Sequence, residues 1–316
     1  MHGALPLVPS LPRRLWQYQL ERFPLARHGP LILVFAGGAV GYGATLSRTA
    51  PRPALAGLAV VVVLLQFLLM RLADEFKDQD DDRRWRPERP VPRGLVRLRE
   101  LAGLGLACTA LQWGLVAMVA PVALPWLAVV WGWFALNGAE FFCRRWLRAR
   151  PGLYALSHLP IVPLLALVAL RPQIPGPLPL PSLLPFLGCV YVGGLLIELA
   201  RKIHAPQQER PGVESYSALW GFRPALALWV AVLLLSAALA LAAAARLGAQ
   251  ALLLPLLAPL LALAAVRAGP WLAGRRRPDA VGDDEPLAAL TALWILATYA
   301  GLGGGSWAAW LVGGWR

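Results

Sequence analysis

Apolar residues in this chain collect into nine long runs, at about residues 29–47, 54–73, 100–120, 123–142, 152–170, 182–200, 224–245, 250–268 and 287–312. Each approaches the roughly 20 residues that carry an α-helix across a bilayer. The pattern predicts an all-α, polytopic membrane protein of about nine transmembrane helices. These form one domain over 29–316, behind a lead-in of 1–28 that has no signal-peptide core.

Composition agrees: 58% of residues are hydrophobic and the mean hydropathy is +0.57, above the roughly 45–50% apolar content of soluble domains. Cys108, Cys143 and Cys189 lie far apart, which excludes a disulfide framework. The net charge of +13 raises the question of nucleic acid. Its placement answers it. With the N-terminus inside, 25 of the 30 Lys and Arg fall on the cytoplasmic side, as the positive-inside rule requires. No nucleic-acid partner is implied. Trp126, Trp307, Trp310 and Trp315 suit an outer interfacial belt, and Trp146 and Trp271 an inner one. Ala36–Gly43 and Ala237–Ala245 read as close helix contacts, and Gly301–Gly305 as a break in the last helix.

The longest polar segments, 74–99 and 201–223, both face the cytoplasm. In the first, six of the 17 acidic residues fall between Asp74 and Asp82. Asp74, Asp78 and Asp82 are spaced i, i+4, i+8, so a continuing helix places three carboxylates on one face with Glu75 on its flank. Like charges there repel one another and the helix dipole, and a divalent cation relieves both effects. Oxygen donors without His or Cys favour Mg²⁺, which takes one or two carboxylates and completes its shell with water and substrate phosphate. Arg83, Arg84, Arg86, Arg89 and Arg93 follow at once, supplying guanidinium groups for phosphate oxygens. No GxxxxGK[ST], HExxH or GxSxG pattern occurs in a supporting position.

The string Asp74-Glu75-x-x-Asp78-x-x-x-Asp82, followed by Arg89-Pro90-x-x-x-Gly94, resembles the first Asp-rich motif of the UbiA superfamily of intramembrane prenyltransferases. That motif is usually NDxxDxxxD followed by RPxxxG. Asp74 replaces the usual Asn and Glu75 the following Asp. The resemblance implies a UbiA-like bundle that binds an isoprenyl diphosphate through Mg²⁺ and transfers the prenyl group to a lipophilic or aromatic acceptor. It makes Asp74, Glu75, Asp78 and Asp82 the metal candidates, and Arg71, Lys77 and Arg89 diphosphate candidates.

The family's second motif, commonly DxxxDxxxD after the sixth helix, is degenerate here. Its place holds Glu198, Arg201, Lys202 and Glu209, with a family-like tail from Gly212 to Gly221. Glu198 and Lys202, at i and i+4, also suit a simple helix ion pair. Yet the chain has 28 Arg and only two Lys, Lys77 and Lys202, one in each segment. A compact ammonium that meets phosphate as a point charge is not interchangeable with a guanidinium. Lys202 is therefore expected to replace part of a second metal cluster, with Arg201 and Glu209 beside it.

Further expectations concern intramembrane polar residues, which line cavities or find partners. Glu140 and His158 suit an interhelical pairing. Gln66 is placed to face the cavity, and Tyr154, Tyr191 and Phe142 offer ring faces to a cation. The reading is an Mg²⁺-dependent membrane prenyltransferase in a bacterial plasma membrane. Its alternatives are a prenyl-lipid-binding accessory protein without turnover and a small-solute or ion transporter.

Overall fold

The structure, a computed structural model, describes residues 9–209, 214–275 and 285–314. Gly212 and Trp315 lie outside them. All regular elements among the described residues are helical, and nine are long and apolar enough to cross a membrane. Their bounds match the nine runs closely.

The chain opens with a short helix, α1 (Leu11–Arg22), and enters the bundle through α2 (Leu25–Ser47). Then follow α3 (Pro53–Lys77), α4 (Gln79–Trp85) and α5 (Leu98–Val119). Pro53 sits in the first turn of α3, where its missing N–H is not needed. Glu100 closes the first turn of α5 by accepting the Arg97 N–H at 2.9 Å. After α6 (Leu124–Gly138) and α7 (Arg144–Arg148), the fifth crossing is split into α8 (Pro151–His158) and α9 (Ile161–Leu170). The last part comprises α10 (Leu180–Ala200), the short α11 (Tyr216–Trp220), α12 (Phe222–Leu247), α13 (Gln250–Leu272) and α14 (Glu285–Leu311).

Small residues set the closest packing, as expected where lipid removes most of the hydrophobic drive between helices. A Cβ on Gly303 would stand 2.2 Å from the Gly38 carbonyl oxygen, and one on Gly41 2.2 Å from that of Gly303. Backbone thus meets backbone between α2 and α14. The Ser306 hydroxyl donates to the Gly41 carbonyl at 3.0 Å and the Trp307 indole to that of Gly37 at 2.9 Å. The glycines after Tyr299 therefore do not break the last helix; α14 runs through them to Leu311. Trp271 lies in the last turn of α13. Its ring is buried, edge-on to Phe222 at 5.5 Å.

The lead-in is structured from Ser10 onward. Tyr18 and Phe23 are buried, and α1 is pinned by Arg14 on Glu100 at 2.7 Å, Arg22 on Glu75 at 2.6 Å and Glu21 on Arg93 at 2.6 Å. Within the bundle, Gln112 donates to Gln66 at 3.2 Å and accepts from Trp131 at 2.8 Å, tying α3, α5 and α6 together. Gln66 is used in that bond and does not line the cavity described below.

Candidate functional site

Three helix interruptions build the site. α3 does not continue through its acidic end: Asp78 leaves helical geometry with φ −101° and ψ 12°, and α4 starts afresh at Gln79. Backbone bonds still run from the Asp78 N–H to the Asp74 carbonyl at 2.9 Å and from the Asp82 N–H to the Asp78 carbonyl at 2.8 Å, but Asp82 is buried in the protein while the Asp74 side chain stays half-exposed. At the same end of the bundle, α6 stops at Gly138, and Glu140, Phe141 and Phe142 all take left-handed backbone, with φ of 47°, 51° and 59°. Such geometry is unusual for residues other than glycine and costs about 1–3 kcal/mol each. It turns the Glu140 carboxylate inward, where the residue is only 2% exposed.

There Glu140 meets Lys77 at 3.0 Å, Arg144 at 3.2 Å and Arg148 at 3.6 Å. Lys77 also donates to the Tyr154 hydroxyl and lies 4.9 Å from the centre of its ring. Arg148 is shared with the exposed Asp81 at 3.5 Å. One buried carboxylate thus gathers three cations, leaving a positive surplus beside a cavity of about 620 Å³. Met70, Phe76 and Phe134 supply apolar wall, and Asp74, Lys77, Glu140 and Arg144 the polar one. Asn137 and His158 also line it.

The third interruption accounts for those last two. Pro160 lies between α8 and α9, and the Val162 N–H bonds to the Leu159 carbonyl rather than to that of His158. The freed His158 carbonyl accepts from the Asn137 side-chain nitrogen at 3.2 Å, as polar side chains do where a membrane helix is broken. The expected Glu140–His158 pairing does not form. Glu140 is taken by the three cations, while the His158 ring stacks on Tyr154 at 4.0 Å with Nδ1 2.8 Å from the Tyr154 carbonyl.

The other predicted residues divide clearly. Asp74 lines the cavity, its side chain 48% exposed, and meets Arg71 at 2.9 Å. Asp78 forms no ion pair among the described residues, and burial pushes its carboxyl above the usual aspartate value. Glu75 points away, buried against Arg22 at 2.6 Å with the Tyr18 hydroxyl at 3.4 Å. Asp82 is buried and takes both oxygens to Arg89 at 2.7 Å, with Arg86 at 3.2 Å. Among the described residues, no group of three or more His, Cys, Asp and Glu side chains converges as a cage for a metal.

The second segment is occupied with itself. Glu198 meets Lys202 at 2.7 Å and Arg201 at 3.9 Å, and the Lys202 ammonium sits 5.5 Å from the centre of the Tyr216 ring. Glu209 accepts from the hydroxyls of Ser215, at 2.6 Å, and Ser217, at 2.7 Å; Ser215 in turn caps α11. Neither Lys202 nor Glu209 lines the cavity. His28 feels the charges of both Arg71, in α3, and Arg201, at the end of α10. Tyr191 donates to the Leu156 carbonyl at 2.9 Å, and Phe142 is 86% exposed. Of the three suggested rings, only Tyr154 is beside the cavity.

Sequence reasoning passed over Arg148 and Asn137. Arg144 and Arg148 stand at i+4 and i+8 from Glu140, a readable spacing; the role of Asn137 depends on a helix break in another crossing.

The fold recurs in solved proteins. A structure described for digeranylgeranylglyceryl phosphate synthase in membranes superposes with a TM-score of 0.61 over 92% of this chain and 99% of its own, at 16% identity. The apo structure of a UbiA homolog from Aeropyrum pernix K1 superposes with a TM-score of 0.61 over 85% and 96%, at 18% identity. This is the UbiA fold. No family model and no curated protein matches the sequence itself. The UbiA fold thus spans nearly the whole chain, well beyond the motif around Asp74, and at these identities it is the architecture that is shared.

Proposed function

We propose that the chain is a membrane prenyltransferase that moves an isoprenyl group from an allylic diphosphate to a lipophilic or aromatic acceptor. The observation that carries this reading is the cationic surplus of Lys77, Arg144 and Arg148 around Glu140, set beside Asp74 on a cavity of about 620 Å³ in a UbiA fold. Lys77 and Arg144 are placed to receive diphosphate oxygens, for which ammonium and guanidinium groups are strong partners.

The acidic residues fit Mg²⁺ in one mode only. Asp74, half-exposed, and Asp78, without an ion pair, would supply one or two carboxylates, the number Mg²⁺ takes when substrate phosphate and water complete its shell. Bound there, the ion would neutralise charge on the departing diphosphate. Asp82 and Glu75 serve instead to hold the surrounding segments through Arg89 and Arg22. The apolar wall from Met70, Phe76 and Phe134 would shield the allylic carbon from water. The basic loops support a cytoplasmic N-terminus for this multi-pass protein, and the excess of Arg over Lys, 28 to two, suits a bacterial plasma membrane.

One observation favours a second reading. Glu198, Lys202 and Glu209 already satisfy one another or their neighbours, which suits an accessory protein that binds a prenyl diphosphate without turning it over. Incubating purified protein in nanodiscs with geranyl, farnesyl and geranylgeranyl diphosphates, with Mg²⁺ or with EDTA, separates the two. Metal-dependent release of diphosphate supports transfer. Saturable donor binding with no release supports the accessory role.

A further inference from the structure

The short helix α1 lies across the end of the bundle that carries the acidic segment. Its Tyr18 clusters with Leu72 of α3 and with Val96 and Leu101 at the head of α5, while Arg22 holds Glu75 and Arg14 holds Glu100. Every one of these partners is near a helix end. Leu72 and Glu75 precede Lys77, where α3 stops, and Val96, Glu100 and Leu101 surround Leu98, where α5 starts. At 1.5 Å of rise per residue, α1 therefore lies within about 8 Å of the level at which two membrane-crossing helices end. That is the level of the lipid headgroups.

The face that α1 turns away from the bundle is not that of a helix in water. Arg13, Trp16 and Leu20, spaced i, i+3 and i+7, are exposed along one stripe, with Trp16 59% and Leu20 53% exposed. Tryptophan and leucine beside arginine make an interfacial helix: the apolar groups enter the boundary between headgroups and acyl chains, and the cation meets anionic lipid. The basic charge here has no answer within the protein. Arg13 and Arg99 are the sequence neighbours of the Arg14–Glu100 pair, both exposed, and neither pairs with a carboxylate among the described residues. Glu21, the acidic residue of α1, is taken by Arg93.

We infer that α1 is a latch that binds anionic phospholipid: the stripe of Trp16 and Leu20 seats in the leaflet at this end of the bundle, and Arg13 and Arg99 hold the phosphates of its headgroups. The inner side of the same helix carries Arg22, whose side chain is 10% exposed and closes on Glu75, the neighbour of Asp74 on the cavity. Seating α1 in an anionic leaflet therefore fastens the end of α3 that borders the cavity. A neutral leaflet leaves that fastening to the ion pairs of the protein alone. The latch does not depend on what the cavity binds or transfers.

The test is hydrogen exchange over α1, read by mass spectrometry on the full chain in nanodiscs of phosphatidylcholine alone and of phosphatidylcholine mixed with phosphatidylglycerol. Exchange is expected to slow by about fivefold or more in the anionic discs, the factor that one arginine contributes near an anionic surface, and to return to the neutral rate at high salt. Arg13→Gln combined with Arg99→Gln is expected to abolish the difference, and Arg13→Lys combined with Arg99→Lys to keep it. A slowing that survives in the glutamine variant reports only the lower surface pH of an anionic leaflet and overturns the inference. Equal exchange of the wild type in the two lipids also overturns it. So does an equal slowing produced in phosphatidylcholine discs by soluble glycerol phosphate, which would make this a site for free phosphate. Seating is read separately by a nitroxide on Leu20→Cys in a Cys143→Ser background, the other two cysteines being buried. The label is expected to meet oxygen more readily than a water-soluble nickel chelate, and the reverse order overturns the inference by placing the stripe in water.

Discussion

Lys77 Nζ lies 3.0 Å from Glu140 Oε1, joining the end of the third helix to a left-handed turn after the sixth. Either partner alone would be a buried charge. Together with Arg144 and Arg148 they form a cluster whose net charge is positive. Lys77→Met is expected to weaken binding of inorganic diphosphate about tenfold to a hundredfold, the range for a charge-assisted hydrogen bond of about 1.5–3 kcal/mol. Glu140→Gln should do the opposite, releasing its cations to the ligand while lowering thermal stability. Titration calorimetry on the two variants reads both signs. Unchanged affinity in Lys77→Met would remove Lys77 from the site.

The acidic segment divides into residues open to a metal and residues committed to the protein. Mn²⁺ binding followed by electron paramagnetic resonance should fall about tenfold or more in Asp74→Asn and Asp78→Asn. Asp82→Asn should bind the ion normally yet unfold more easily, because Arg89 and Arg86 lose their buried partner. Breaking a buried pair in this way costs about 3–5 kcal/mol. Loss of Mn²⁺ binding in Asp82→Asn with wild-type stability would restore it as a ligand.

Much of this was legible in the sequence, and the failures have physical causes. Nine apolar runs of about 20 residues dictate nine membrane helices, because a run of that length satisfies its own backbone in lipid as a helix, whereas barrel strands need only about ten residues. The acidic string marks the end of α3 that borders the cavity. The reading of three equivalent carboxylates fails because Asp82 is taken by Arg89 and Arg86, which leaves Asp74 and Asp78 as the open pair. The Glu140–His158 pairing does not form because three cations already surround the buried carboxylate. Asn137 carried no signal, since its role arises only where Pro160 frees a carbonyl on another crossing.

Glu75 belongs to a different task. Its side chain is 1% exposed and holds Arg22 at 2.6 Å, fastening α1 to the end of α3. Glu75→Ala should cost about 3–5 kcal/mol, as expected when one partner of a buried pair is removed. Tyr18→Phe, which loses only a 3.4 Å hydrogen bond, should cost about 0.5–1.5 kcal/mol. Chemical denaturation in detergent, read by tryptophan fluorescence, distinguishes them. Equal losses would mean that ring packing, not the ion pair, fastens α1.

The outer clasp on α1 is sensitive to acid. Arg93 donates to both oxygens of Glu21, at 2.6 and 2.8 Å, and holds its carboxyl below the usual glutamate value of 4.5. A carboxyl with a lowered value in the folded protein contributes stability that is fully present above its unfolded value and is lost as pH falls through the folded one. Both side chains are about one-third exposed, 32% and 35%, so the contribution is modest, about 0.2–1 kcal/mol. Hydrogen exchange in α1 should therefore quicken as the pH is lowered from 6 to below 4.5. Arg93→Gln should remove that dependence. An identical acid response in Arg93→Gln would assign it to another carboxylate.

The α2–α14 contact makes the sharpest prediction about the bundle, because two glycines on one helix behave oppositely. A Cβ at Gly303 would come within 2.2 Å of the Gly38 carbonyl oxygen, a backbone atom that moves only if a whole helix moves. Overpacking of this kind costs about 1–3 kcal/mol or more. One residue on, a Cβ at Gly304 meets nothing within 4 Å, and alanine is the better helix former by about 1 kcal/mol. Gly303→Ala should therefore lower the thermal midpoint, and Gly304→Ala should hold or raise it. Ser306 and Trp307 sharpen the comparison, since their bonds to the Gly41 and Gly37 carbonyls lengthen if α14 is pushed away from α2. Quenching of Trp307 fluorescence by a lipid-phase quencher should accordingly increase in Gly303→Ala alone. Indistinguishable midpoints for the two alanine variants would show that backbone contact between these helices is not what holds them together.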